Sequence, residues 1–154
     1  MKICDLLDET HILFDMKPGD KAQVLADFTK ELKNRNLICD EKAILKELLK
    51  RESLGSTGLE QGIAVPHALI DEIQEPFLAL GIVKEGTDFG AADQMPAFVF
   101  FLILGNTDRP GIQLRILAHI CRLVKETNFV EKVQKIKSPL EVCRLLENEE
   151  EKIG

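Results

Sequence analysis

The chain lacks most of what would place it in a common functional class. No apolar run is long enough to cross a bilayer: the longest, Ala97–Leu104, is far below the roughly 20 residues a spanning helix needs, so no direct membrane insertion is expected. Positive charge is in deficit. With 20 Lys and Arg against 26 Asp and Glu the net charge is −6, the wrong sign for a face that binds nucleic-acid phosphates. No block of like charge occurs before a short acidic tail, Glu147–Glu151, which reads as a solvated helix end. The four cysteines, Cys4, Cys39, Cys121 and Cys143, show neither CxxC nor zinc spacing. Three of them stand among apolar neighbours and read as small core residues in a reducing compartment. Asp5, Asp8 and Glu9 interrupt any N-terminal apolar segment, so no secretory leader and a cytoplasmic location are expected. Internal repeats and low-complexity linkers are absent too. What remains, 154 residues at 45% hydrophobic and 30% charged, suits one domain, residues 1–154, with a core of its own.

Catalytic signatures are mostly missing as well. The glycine-rich stretch Gly55–Gly62 has no Walker-type lysine and no GxGxxG, which disfavours nucleotides. Ser56 lacks the GxSxG elbow of a serine hydrolase. His67 and Asp71, with His11 or His119, match no helical or ribbon zinc spacing, so no metal and no cofactor is expected. His11 reads as an ordinary strand residue.

The informative stretch is Arg51–His67, RESLGSTGLEQGIAVPH. Arg51 and Glu52 close a helical pattern whose stripe is Ile44, Leu45, Leu48 and Leu49. On a 3.6-residue wheel Arg51 falls at the border of that stripe and Glu52 near its middle. A charge turned inward at a helix end needs a partner; failing any role toward a ligand, Arg51 would be that partner. Next come Gly55, Ser56, Thr57 and Gly58, small residues whose N–H groups and hydroxyls can approach an anion. Gly62 then opens Ile63-Ala64-Val65, read as a strand that Pro66 ends, so that His67 is held at a strand end. A neutral imidazole can attack phosphorus at neutral pH. A transferring phosphoryl group needs a fixed cation and N–H donors around it, parts that Arg51 and the Gly55–Gly58 turn could supply.

The rest of the chain supplies a frame. A short helix or turn over Ile3–Leu7 and a strand over His11–Phe14 are expected, followed by a helix capped by Asp20 with Val24, Leu25, Phe28 and Leu32 inward. Asp40 caps the next helix. Asp71–Pro76 reads as loop. Phe77–Lys84 and Ala97–Leu104 read as central strands covered on both faces, joined by a loop over Glu85–Pro96. After the loop Gly105–Gly111 come an amphipathic helix over Ile112–Lys125 and a helix over Asn128–Ile136 capped by Thr127. The last helix opens with the capping box Ser138-Pro139-Leu140-Glu141. The fold class is α/β, a mixed sheet flanked by helices.

Arg51-Glu52, Ser56-Thr57-Gly58 and Gly62-Ile63-Ala64-Val65-Pro66-His67 together resemble the signature of phosphotransferase-system enzyme IIA domains of the fructose/mannitol type, including the nitrogen-regulatory branch. The resemblance runs from about Ile3 to the last helix. It implies an α/β enzyme IIA fold and a phosphorylated histidine at His67, with Arg51 stabilising the phosphoryl group and Ser56, Thr57 and Gly58 supporting it. An HPr-like protein is the implied donor, and an enzyme IIB or a regulatory target protein the implied recipient, without independent turnover of a small substrate. Three readings stay open: a sugar-uptake carrier, a regulatory nitrogen-type carrier, and a regulator that binds partners without carrying phosphate. The intact motif argues against the third, and a stand-alone chain leans toward the second. One position departs from the family. Where a second histidine often opens the helix after the GNTDRPG-type loop, this chain has Gln113. Helix geometry turns Gln113 inward with Ile112, Ile116, Ile120 and Val124, and puts His119 about 120° away with Arg115 and Arg122. Gln113 is therefore expected to give an N–H to the phosphoryl pocket, and His119 to take no part.

Overall fold

Successive residues of a strand face opposite ways, so a strand apolar at every position needs cover on both sides. The computed structural model, which describes residues 2–154, provides that cover. In chain order its elements are β1 (Ile12–Leu13), α1 (Lys21–Asn34), α2 (Glu41–Ser53), β2 (Ile63–Ala64), β3 (His67–Ile70), β4 (Phe77–Thr87), β5 (Ala97–Asn106), α3 (Pro110–Glu126), α4 (Phe129–Val133) and α5 (Pro139–Ile153). Two 3-10 turns, Ile3–Leu6 and Glu9–His11, precede β1. One mixed sheet runs β1-β4-β5-β2, with β3 also on β5. The β4–β5 pair is antiparallel; β1 on β4, and β2 and β3 on β5, are parallel.

Alternation divides β5 between two cores. Val99, Phe101 and Ile103 point to α3, α4 and α5, among Ile116, Ile120, Phe129, Val142 and Leu146. Phe100, Leu102 and Leu104 point to α1 and α2, among Val24, Leu25, Phe28, Leu32, Ile44 and Leu48. Gly81 of β4 faces this second core and has no room for a side chain: a Cβ there would clash with Met16 Sδ and stand 2.8 Å from the Phe28 ring.

Helix ends follow the capping expectations at Asp20, Asp40 and Ser138, whose side chains accept the N–H groups of Gln23, Ala43 and Glu141. Other expectations are corrected. The helix placed over Asn128–Ile136 is only Phe129–Val133, and Thr127 does not cap it; its hydroxyl turns back to the carbonyl of Leu123 at the end of α3, 2.6 Å away. The N-terminal strand is Ile12–Leu13 alone. His11 belongs to the preceding turn, with Nδ1 3.1 Å from the Leu6 carbonyl and its ring against Phe77. The loop after Lys84 starts late, because β4 continues through an irregularity to Thr87. No cysteine is fully buried: Cys39 and Cys121 are exposed, while Cys4 and Cys143 are half-buried against the core that α3, α4 and α5 cover.

The acidic tail is the largest correction. Glu149 and Glu150 are buried, at 2% and 3% exposure, because the inward stripe of α5, Val142 and Leu146, continues through them to Ile153. Glu149 is paired with Lys132 and Lys152. Glu150 accepts the N–H groups of Ile3 and Cys4 at 2.6 and 2.7 Å, and its Oε2 lies 2.7 Å from His119 Nε2. Those hydrogen bonds hold the Glu150 carboxyl below the usual range although burial pushes the other way.

Candidate functional site

Helix α2 buries one residue per turn, Ile44, Leu48 and Glu52, so the third turn carries a carboxylate into the interior. Its partner is not Arg51. Lys21, the first residue of α1, reaches Glu52 Oε2 at 3.1 Å. Thr57 donates its N–H to the same oxygen at 3.2 Å and its hydroxyl to Oε1. Arg51, one residue earlier, is half-buried and gives Nη1 to the carbonyl of Gly55 at 2.9 Å.

The turn that follows is packed as a wedge. Ser56 donates its hydroxyl to Phe89 O and accepts the Gly58 N–H. Gly58 must be glycine for contact, since a Cβ there would stand 2.7 Å from the Phe89 carbonyl oxygen. The hydroxyls of Ser56 and Thr57 are thus committed to the frame. The smallness of this turn serves close packing against residues 88–91, a reason that the sequence motif alone does not disclose.

The strand expected to end at Pro66 breaks off at Ala64 and is taken up again beyond the proline. Ile63 pairs with Val99 and His67 with Ile103, the same offset on both sides of the break. The edge strand is interrupted over Val65-Pro66 and resumes in register as β3, which begins at His67. Through the gap the Pro66 carbonyl still accepts the Ile103 N–H at 3.0 Å. Val65 turns away from β5: its N–H goes to the Thr57 carbonyl at 3.0 Å, and its carbonyl accepts Nδ1–H of His67 at 2.7 Å.

That last bond fixes the chemistry of the ring. A carbonyl can only accept, so the imidazole proton sits on Nδ1 and Nε2 keeps its lone pair. Burial, chiefly, together with the positive charge of Arg51, holds the imidazole below its ordinary pKa; the Val65 carbonyl and Glu52 pull the other way. Neutral His67 opens on a cleft of about 350 Å³ lined by Glu47, Lys50 and Arg51 from α2 and Leu54 just after it, by Ala68 and Leu69 from β3, and by Gln113 from α3. Sequence reasoning missed Lys50 and Leu54. Their signal was available, since the residue before Arg51 and the one after the helix share its exposed side.

Gln113 is buried, at 6% exposure, at the inward position expected. Its Nε2 donates to the Ala68 carbonyl at 2.8 Å and reaches the Ile103 carbonyl at 3.5 Å. In this geometry its N–H groups serve the β3–β5 seam beside His67. His119 is engaged with Glu150 and is absent from the cleft lining. A larger hollow, about 490 Å³, lies between Arg122, Lys132, Glu149 and Lys152. Its buried carboxylate already has two lysine partners, and neither histidine nor cysteine lines it. Among the described residues no three His, Cys, Asp or Glu side chains group as metal ligands do, and no helix is long and apolar enough to cross a membrane.

Residues 5–149 match the family described as "Phosphoenolpyruvate-dependent sugar phosphotransferase system, EIIA 2". The chain belongs to this family. Among its EIIA relatives, the fructose-specific EIIABC component of Bacillus subtilis is 31% identical over 80% of this chain, which spans 20% of that protein's length. A nitrogen regulatory protein of Bradyrhizobium diazoefficiens is 30% identical over 87% of both chains. The crystal structure of the nitrogen regulatory protein IIA-Ntr from Neisseria meningitidis superposes with a TM-score of 0.84 at 28% identity, covering 94% of this chain and 98% of that one. The EIIA fold therefore accounts for the mixed sheet and its flanking helices.

Proposed function

We propose that this EIIA protein is a phosphohistidine carrier. Nε2 of His67 attacks the phosphorus of a phosphohistidine on an HPr-like donor. An N–P bond forms at His67 as the donor's N–P bond breaks, and the departing imidazole keeps the electron pair. The observation that carries this reading is the bond from Nδ1–H to the Val65 carbonyl, which leaves a neutral nucleophilic nitrogen facing an open cleft beside Arg51. In the transition state the equatorial oxygens hold spread negative charge, and Arg51 with Lys50 supplies fixed positive potential against it. Ser56, Thr57 and Gly58 support the site through the frame described above, and Gln113 through the seam beneath it. The next transfer is to an enzyme IIB or to a target whose activity follows the phosphorylation state.

The regulatory, nitrogen-type role is the first reading, supported by the likeness along almost the whole length of nitrogen regulatory proteins. Sugar uptake is the second, supported by the similar identity to a fructose-specific component. Incubation with enzyme I, an HPr-type carrier and phosphoenolpyruvate is expected to give an acid-labile, base-stable phosphoprotein. His67→Ala abolishes the label while circular dichroism stays unchanged; labelling of the variant equal to wild type overturns the proposal. Passing of the label to a fructose-type IIB separates the two roles.

A further inference from the structure

A lysine is badly placed at the first position of a helix, where the dipole and the unpaired N–H groups already present positive potential. Lys21 holds that position in α1. Its ammonium turns toward the interior, 3.1 Å from Glu52 Oε2 and 5.1 Å from the centroid of the Phe89 ring. The Glu52 side chain is only 5% exposed, and its carboxylate is a hub for Lys21 and for both the N–H and the hydroxyl of Thr57. From Thr57 the connection runs on without a gap. The Thr57 carbonyl holds the Val65 N–H, and the Val65 carbonyl holds Nδ1–H of His67. Five residues from α1, α2, the glycine turn, the strand break and β3 thus form one line of contacts that ends on the reacting ring.

We propose that Lys21 is a positioning residue for His67: by neutralising buried Glu52 it holds Thr57, and through Thr57 and Val65 it keeps the imidazole proton on Nδ1 and Nε2 toward the cleft. The effect on transfer rests on the phosphocarrier reading; the effect on the imidazole does not. Without Lys21 the Glu52 carboxylate is buried uncompensated, and it regains solvation or a proton only by giving up part of its hold on Thr57. A displacement of about 1 Å at a reacting atom is enough to slow a step on the order of a hundredfold, so the three residues between Lys21 and His67 do not make the connection negligible. The other charged groups at the ring, Glu47, Lys50, Arg51 and Glu52 from α2, are all retained in the single variants below.

The test reads the ring itself. In ¹⁵N-labelled wild-type protein, His67 is expected to show a protonated Nδ1 and a bare Nε2. Lys21→Met is expected to shift these signals toward a mixture of both tautomers. It also slows phosphotransfer about tenfold to a hundredfold, measured well below the thermal transition so that every molecule is folded. Lys21→Arg restores both readouts. Lys21→Met combined with Glu52→Gln, which removes the charge and keeps one of the two acceptor oxygens that Thr57 uses, lies closer to wild type than Lys21→Met alone. If Lys21→Met does not fold, Lys21→Gln keeps a donor and is expected to give a smaller shift of the same kind. His67 signals identical to wild type in the folded variant overturn the proposal, whatever happens to stability. A wild-type chain that takes no label at His67 overturns the carrier reading instead, and the spectra still decide the role of Lys21.

Discussion

Arg51 uses one of its donors on the Gly55 carbonyl, and a guanidinium has five in a planar fork. The remainder can meet two oxygens of one phosphoryl group at once, a geometry that an ammonium cannot reproduce. Arg51→Lys is therefore expected to slow transfer about a hundredfold while the melting temperature barely moves, as a stopped-flow transfer assay beside a thermal melt would show. His67 carries its own signature in pH. Its folded-state pKa lies below that of the unfolded chain, chiefly through burial. Transfer from the neutral ring should thus stay level as pH falls through about 6.5, where an ordinary imidazole already titrates, and decline only below that. The sign for stability follows from the same shift: in that window the unfolded chain binds the extra proton, so stability is lost as pH falls. His67→Ala should flatten that part of the stability profile in denaturant titrations at stepped pH.

At the scale of elements, α3 is tied to the sheet where β3 meets β5. Gln113→Ala removes the amide that joins the Ala68 and Ile103 carbonyls to this helix. A loss of about 1–2 kcal/mol in urea unfolding is expected, with less effect on transfer than Arg51→Lys. The inward turn of Gln113 was legible in the sequence because helical periodicity is local. So were both central strands, whose apolar runs demand two covered faces, and the caps at Asp20, Asp40 and Ser138. What could not be read depends on partners far along the chain. The pairing of Glu52 with Lys21 joins residues 31 apart, and no local pattern reports it. The resumption of the edge strand after Pro66 depends on an unbroken neighbour, β5, that keeps the register across the gap. The burial of Glu149 and Glu150 was more nearly accessible. Their spacing continues the stripe of Val142 and Leu146, and only the run of charge concealed it.

The whole molecule is two cores on either side of one sheet, and they are closed in different ways. The α1–α2 face joins its helices by a short connection. The opposite face takes its cover from α3, α4 and α5 and also from the turn at Ile3–Leu6, so it draws on both ends of the described chain. Glu150 seals that face by gripping the N–H groups of Ile3 and Cys4 across 147 and 146 residues of sequence. Closing so long a loop is entropically late work. The seal at Glu150 should therefore be missing from the folding transition state, and Glu150→Gln should leave the refolding limb of a chevron plot almost in place while raising the unfolding limb. A lowered refolding limb with the unfolding limb left in place would mean instead that the seal forms early. The carboxylate that looks like the least consequential residue of an acidic tail would then set how long the native state survives, and hardly at all how quickly it is reached.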